Sequence, residues 1–179
     1  MNHDVSDDLR YPVGTWTWPA EVTQEERAAF IRDIEALPAK LREAVAGLDP
    51  RHLDIPYRDG GWTIRQIVHH VPESHMNSYI RFKLALTEDN PTVKPYDEAL
   101  WAKLPDASTA PIDLSLDLAE ALHKRWDLVL RAMTDRDFER TYFHPENGTH
   151  KLDAILGLYA WHGRHHAAQI VASRQRNGW

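Results

Sequence analysis

The chain of 179 residues contains no cysteine. Disulfides, thiolate metal ligands and a cysteine nucleophile are excluded, and the absence fits a reducing compartment. No apolar run approaches the roughly 20 residues that a membrane-spanning helix needs. Positive charge is the scarcer sign: 21 Lys and Arg against 27 Asp and Glu give a net −6 with histidine neutral. No basic stripe offsets that balance, so nucleic acid is not an expected partner. No glycine-rich phosphate loop and no nucleophilic-serine elbow is present. The first residues, Met1 to Asp8, are polar and acidic and lack the apolar stretch of a signal peptide. The expectation is a cytoplasmic protein without membrane association, forming one domain over 1–179, long enough to bury a core without staples.

Against these absences stand eleven histidines and seven tryptophans. Residues 1–22, with Tyr11-Pro12-Val13-Gly14 and Trp16-Thr17-Trp18-Pro19, read as an extended arm whose aromatics pack across the body. Thr23 and Glu26 form a capping box ahead of a first helix with apolar positions Phe30, Ile31, Ile34, Leu37, Leu41, Val45 and Leu48, a kink at Pro38 and a stop at Gly47. Asp49-Pro50 opens a short helical turn, and Ile55 to Gly61 is a loop. A second capping box, Thr63 with Gln66, starts a helix that passes Pro72 and stops before Asn90-Pro91. Residues 90–112 carry four prolines and read as a long connection with a short helix near Asp97 to Leu104. The third helix spans about Asp113 to Thr134, with Leu114, Leu118, Ala121, Leu122, Val129 and Met133 as its apolar face. Tyr142 to Gly148 is a turn region, and the fourth helix runs from Leu152 to Arg176. Four long amphipathic segments and few strand signals predict an all-α four-helix bundle with an extended N-terminal arm and a long loop between helices 2 and 3.

The fourth helix carries the chemistry. Its inward stripe reads Ile155, Tyr159, His162, His166, Ile170. His162 and His166 lie one turn apart, about 6 Å of rise and about 40° of rotation, so both imidazoles can close on one metal ion. Two imidazoles facing a core need partners, and a metal supplies one. His165 falls off the stripe and ranks below His166. A third imidazole from His69-His70 would complete a three-histidine site with open coordination positions, as catalytic metals have. Consecutive helical residues diverge by about 100°, so only one of the two can join; spacing favours His70 slightly and leaves both open. This is not an H-E-x-x-H site, because Gly163 follows His162. Glu73, one turn beyond His70, is the candidate general base, set against an ordinary exposed helix carboxylate. Tyr57-Arg58-Asp59-Gly60-Gly61-Trp62 could hold a carboxylate or polar tail of a substrate, or be a capped turn with a surface ion pair.

These pieces resemble the DinB/YfiT-like superfamily, in its YfiT-type group of metal-dependent hydrolases. The resemblance is carried by Pro56 to Thr63, Arg65-Gln66 to His69-His70, Ser74 to Lys83, Lys94-Pro95-Tyr96-Asp97, Phe143-His144-Pro145, and Gly157-Leu158-Tyr159 through Trp161-His162 and His165-His166. It implies a four-helix bundle binding one divalent metal per chain through three histidines. In that superfamily a tryptophan opens the second helix and the ligand follows eight residues later, which from Trp62 counts to His70. The other two ligands fall on His162 and His166, with Gln169 three residues on. Zinc, and alternatively nickel, is the metal that the resemblance implies, and a homodimer the assembly. The implied reaction is hydrolysis of a small-molecule substrate by an activated water. The alternatives are transfer of a low-molecular-weight, bacillithiol-like thiol to electrophiles, and a metal-dependent stress-response binding module without turnover. Pro72 departs from the usual pattern and raises the question of helix continuity beside His70.

Overall fold

The computed structural model describes residues 9–179; the part of the arm before Leu9, with the acidic Met1–Asp8 run, lies outside them. Along the chain come α1 (Gln24–Val45), α2 (Pro50–Leu53), α3 (Ile64–Thr87), α4 (Glu98–Trp101), α5 (Pro105–Ser108), α6 (Asp113–Ala132), α7 (Asp135–Phe138), β1 (Thr141–His144), β2 (Gly148–Lys151) and α8 (Leu152–Asn177). Both long-helix capping boxes form: Thr23 with Glu26 at α1, and Thr63 with Gln66 at α3. Pro38 and Pro72 sit inside α1 and α3, and both helices continue through them. α8 ends where Gly178 takes φ +73, the left-handed cap that glycine adopts without strain.

α1, α3, α6 and α8 form the bundle. α1 packs on α8 and α6, and α3 packs on the same two. Helices consecutive in the bundle, α1 and α3, are therefore diagonal to each other, whereas α3 and α6, joined by the long connection, are neighbours. That connection is pinned by side chains of α3. Gln66 donates to the Ala102 carbonyl, Arg65 to Ala110, and Arg81 to Lys94. Its start also pairs with the hairpin, through Val93 N to Phe143 O at 3.0 Å and Phe143 N to Pro91 O at 3.0 Å.

Two readings of the sequence are corrected. The Tyr142–Gly148 region is an antiparallel hairpin, Thr141 pairing with Lys151 and His144 with Gly148. Tyr142 and His144 alternate inward on β1, but a run of four residues is too short for period-2 patterning to stand out. On α6 the buried face is Leu116, Ala119, Leu122, His123, Trp126 and Leu130, while Leu114 and Leu118 are exposed. The inward stripe is interrupted by a histidine that donates from Nδ1 to the Ile34 carbonyl at 2.5 Å, so following leucines alone rotates the helix off its true face.

The apolar core comes in two parts. One gathers Phe82, Trp126, Leu130, Leu152, Ile155 and Leu156; the other Leu41, Ile64, Ile67, Val71, Leu116 and Ile170. Between them, along α3, α6 and α8, lie His70, Ser74, His75, Ser78, His123, His162 and His166.

Candidate metal centre

His70 on α3 and His162 and His166 on α8 converge, with one ring nitrogen from each within 4.8 Å of the others. The Nε2 atoms of His70 and His162 are 3.2 Å apart. Two nitrogens on a tetrahedral ion at about 2.05 Å would be separated by about 3.3 Å, so the spacing already matches one edge of such a site. α8 supplies two of the three rings because they stand one turn apart, and the diagonal arrangement of α1 and α3 places α3 beside α8 to supply the third.

The second nitrogens are also provided for. His166 Nδ1 lies 2.9 Å from Gln169 Oε1. An amide oxygen only accepts, so the His166 proton sits on Nδ1 and its Nε2 lone pair is left free. Gln169 donates through Nε2 to the Arg10 carbonyl at 2.9 Å and to His165 Nε2 at 2.8 Å, which ties the arm to the same network. His162 Nδ1 lies 3.2 Å from His75 Nε2, and His75 stacks on His123 with ring centroids 4.9 Å apart. Hydrogen bonds of this kind fix the tautomer and orientation of metal-binding imidazoles.

Burial makes these rings neutral. Desolvation lowers His70 to about 4, with the charge of His165 adding to it, and desolvation first, then neighbouring histidines, holds His162 and His166 well below the ordinary histidine value. Neutral imidazole is the form that binds metals. The donor set, its spacing and its protonation therefore fit a divalent ion.

The sequence candidates separate cleanly. His69, 3 % exposed, places Nδ1 2.7 Å from Ser115 Oγ and Nε2 3.2 Å from the Ala110 carbonyl, which ties α3 to α6 and the long connection. His165 packs on Tyr11 and stacks on Trp161; desolvation lowers it to about 4. Glu73 is not brought to the site. It is half-buried beside Asp106, and desolvation, then that neighbouring carboxylate, raises its pKa. Ser74, four residues after His70, takes the cavity-facing position instead, because i+4 returns to nearly the same helix face while i+3 falls on the other side of it.

The three imidazoles form part of the wall of a cavity of about 580 Å³. The arm contributes Arg10 and Tyr11, the loop before α3 contributes Tyr57, Arg58 and Trp62, and the long connection contributes Pro95, Tyr96 and Glu98. Arg81, His144, Tyr159 and Trp161 complete much of the remaining wall. Arg58 thus does reach the cavity, though its Nε is engaged by Tyr57 Oη at 3.0 Å and its Nη1 by the Asp59 carbonyl at 2.8 Å. Sequence reasoning assigned no role to Arg81, His75 or His144. For Arg81 a signal existed: a cation on the helix stripe that continues Ser74 and Ser78 inward.

Residues 33–170 match the DinB superfamily. A protein of Bacillus cereus (strain 03BB102) named "Putative metal-dependent hydrolase" is 56% identical over 173 residues, covering 97% of this chain and 99% of that protein. A likewise named protein of Bacillus mycoides (strain KBAB4) is 55% identical over 172 residues, covering 96% and 99%. Among solved structures, YfiT from Bacillus subtilis, described as "a probable metal-dependent hydrolase with an unusual four-helix bundle topology", superposes with a TM-score of 0.94 at 47% identity, over 96% of this chain and 99% of that one.

Proposed function

The chain belongs to the DinB superfamily, and from that membership and the converging imidazoles we propose that it is a metal-dependent hydrolase of a small molecule, with His70, His162 and His166 holding one divalent ion. The observation that carries the reading is the meeting of three neutral imidazoles whose nitrogens lie within 4.8 Å of one another on the wall of an open cavity. An all-imidazole set suits zinc or nickel rather than the oxygen-seeking magnesium or calcium. When bound, such an ion supplies Lewis acidity that makes water nucleophilic near neutral pH.

The protein's own groups do the rest. Gln169 holds His166 in the Nδ1–H tautomer, and His75 orients His162 through its Nδ1. Tyr57, Trp62, Tyr96, Tyr159 and Trp161 line the cavity with aromatic surface that a substrate would cover. His144 on β1 accepts the Glu146 amide proton at Nδ1 over 3.3 Å. Its neutral ring then carries its proton on Nε2, available as a donor within the cavity wall.

The test is metal content together with turnover. Purified protein should contain about one zinc or nickel per chain, and His162→Ala or His70→Ala should lose it. Ester and amide panels should show hydrolysis that chelation abolishes and added metal restores, without any thiol. Full metal stoichiometry in His162→Ala, or hydrolysis that survives verified metal removal, would refute the proposal. Turnover that requires an added thiol and yields a thioether would replace hydrolysis by thiol transfer.

A further inference from the structure

Two arginines of α3, Arg65 and Arg81, are each only 8% exposed. Arg65 has the Asp54 carboxylate at 2.7 Å and the Ala110 carbonyl at 2.8 Å. Arg81 has no carboxylate within 4.0 Å among the described residues. Its partners are neutral: the Lys94 carbonyl at 2.9 Å and the Tyr142 phenol. A guanidinium withdrawn from water without a counter-ion costs several kcal/mol, and buried charges in proteins are ordinarily paired. Arg81 lines the same cavity as His70, His162 and His166.

We propose that Arg81 is the anion-binding residue of this cavity and that the substrate is a small molecule carrying a carboxylate, seated on Arg81 while its reacting bond faces the three histidines. The proposal rests on the hydrolase reading for the second half of that statement alone. A planar carboxylate matches one free edge of a guanidinium with two parallel N–H···O bonds. A phosphate, with charge near −2, asks for more positive charge than one arginine whose donors are already shared with Lys94 and Tyr142. The exposed carboxylates of Glu98 and Glu146 at the rim further disfavour a dianion. The wall's other two arginines are less buried than Arg81: Arg10 is exposed on the arm, and half-buried Arg58 already spends Nε and Nη1 on Tyr57 and Asp59.

The experiment is calorimetric titration of the metal-loaded full-length protein with benzoate, benzamide and phenyl phosphate, metal content being measured in every sample. Benzoate should bind saturably and benzamide about tenfold or more weakly, the equivalent of about 1.4 kcal/mol. Arg81→Gln should weaken benzoate by about tenfold or more with metal content unchanged, and Arg81→Lys should fall between. Equal benzoate affinity in wild type and Arg81→Gln overturns the proposal, because it places the carboxylate on the metal or the wall. So does benzamide binding as well as benzoate, a tighter phenyl phosphate complex, or no saturable benzoate binding. Should Arg81→Gln not fold, Arg81→Lys and the wild-type benzoate-to-benzamide ratio decide. No arm needs turnover, so missing hydrolysis by the metal-loaded protein refutes the hydrolase reading without touching this result.

Discussion

Gln169 is the residue in which the site's design is most concentrated. One side-chain amide accepts from His166, donates to His165 and donates to the Arg10 carbonyl of the arm. Its two ends can be separated. Gln169→Glu keeps the acceptor for His166 and removes the donors to the arm; Gln169→Leu removes both. Because hydrogen bonds behind metal-binding histidines typically contribute 10- to 100-fold in affinity, Gln169→Leu should weaken zinc binding by about that factor, whereas Gln169→Glu should stay within a few-fold of wild type. Competition titration against a chromophoric chelator measures both, and equal losses would show that His166 does not depend on the amide oxygen. At this scale the sequence was informative where periodicity applied. The stripe Tyr159-His162-His166 pointed inward as read. It could not choose between His69 and His70, since 100° of helical rotation means little until the neighbouring helices are placed, nor show that Glu73 faces Asp106. For Arg81 the inward stripe of α3 was a signal, but that it lacks a carboxylate partner could be seen only in the fold.

At the scale of elements, α1 packs on α8 through Leu37, which sits directly over Gly163. A Cβ added there would lie 2.5 Å from Leu37 Cδ2 and 2.9 Å from Cδ1, and Leu37 is itself 2% exposed. Gly163→Ala gains about 1 kcal/mol of helix propensity and loses about 1–3 kcal/mol to overpacking. The net expectation is destabilisation of about 1 kcal/mol, with a lower urea midpoint and, because His162 is adjacent, weaker metal retention. An unchanged or raised midpoint would mean that Leu37 moves aside freely. The long helices were readable because capping boxes and 3.6-residue periodicity are local signals that α1 and α3 satisfy in full. The hairpin and the true face of α6 were not, because each depends on partners distant in sequence: Pro91–Val93 for β1, and the Ile34 carbonyl that makes a buried His123 tolerable.

At the scale of the molecule, the four long helices place a layer of histidines between two apolar halves, and that layer sets how the fold answers acid. His69, His70, His75, His123, His144, His162, His165 and His166 are all held below 6.5, with desolvation the largest cause in each. Below pH 6.5 the unfolded chain takes up protons that the folded chain refuses. The unfolded state then binds more protons, so stability rises with pH in this window and falls as pH drops from 6.5 toward about 4. A single buried imidazole moved from 6.5 to about 4, as His70 is, costs about 3 kcal/mol by pH 4, a large share of a typical domain's margin. The melting temperature of metal-free protein should therefore drop steeply between pH 7 and pH 5, ahead of the range where carboxylates titrate. Zinc at about a hundredfold above its Kd should add about 2.7 kcal/mol at pH 7. That gain should shrink on acidification, because the ion competes with protons for the same nitrogens. Calorimetric scans at pH 7, 6 and 5, with and without zinc, give both slopes. A melting temperature that is flat across this range in the metal-free protein would show that the histidine layer is already hydrated or protonated in the fold. A zinc increment that does not change with pH would place the ion somewhere other than on His70, His162 and His166.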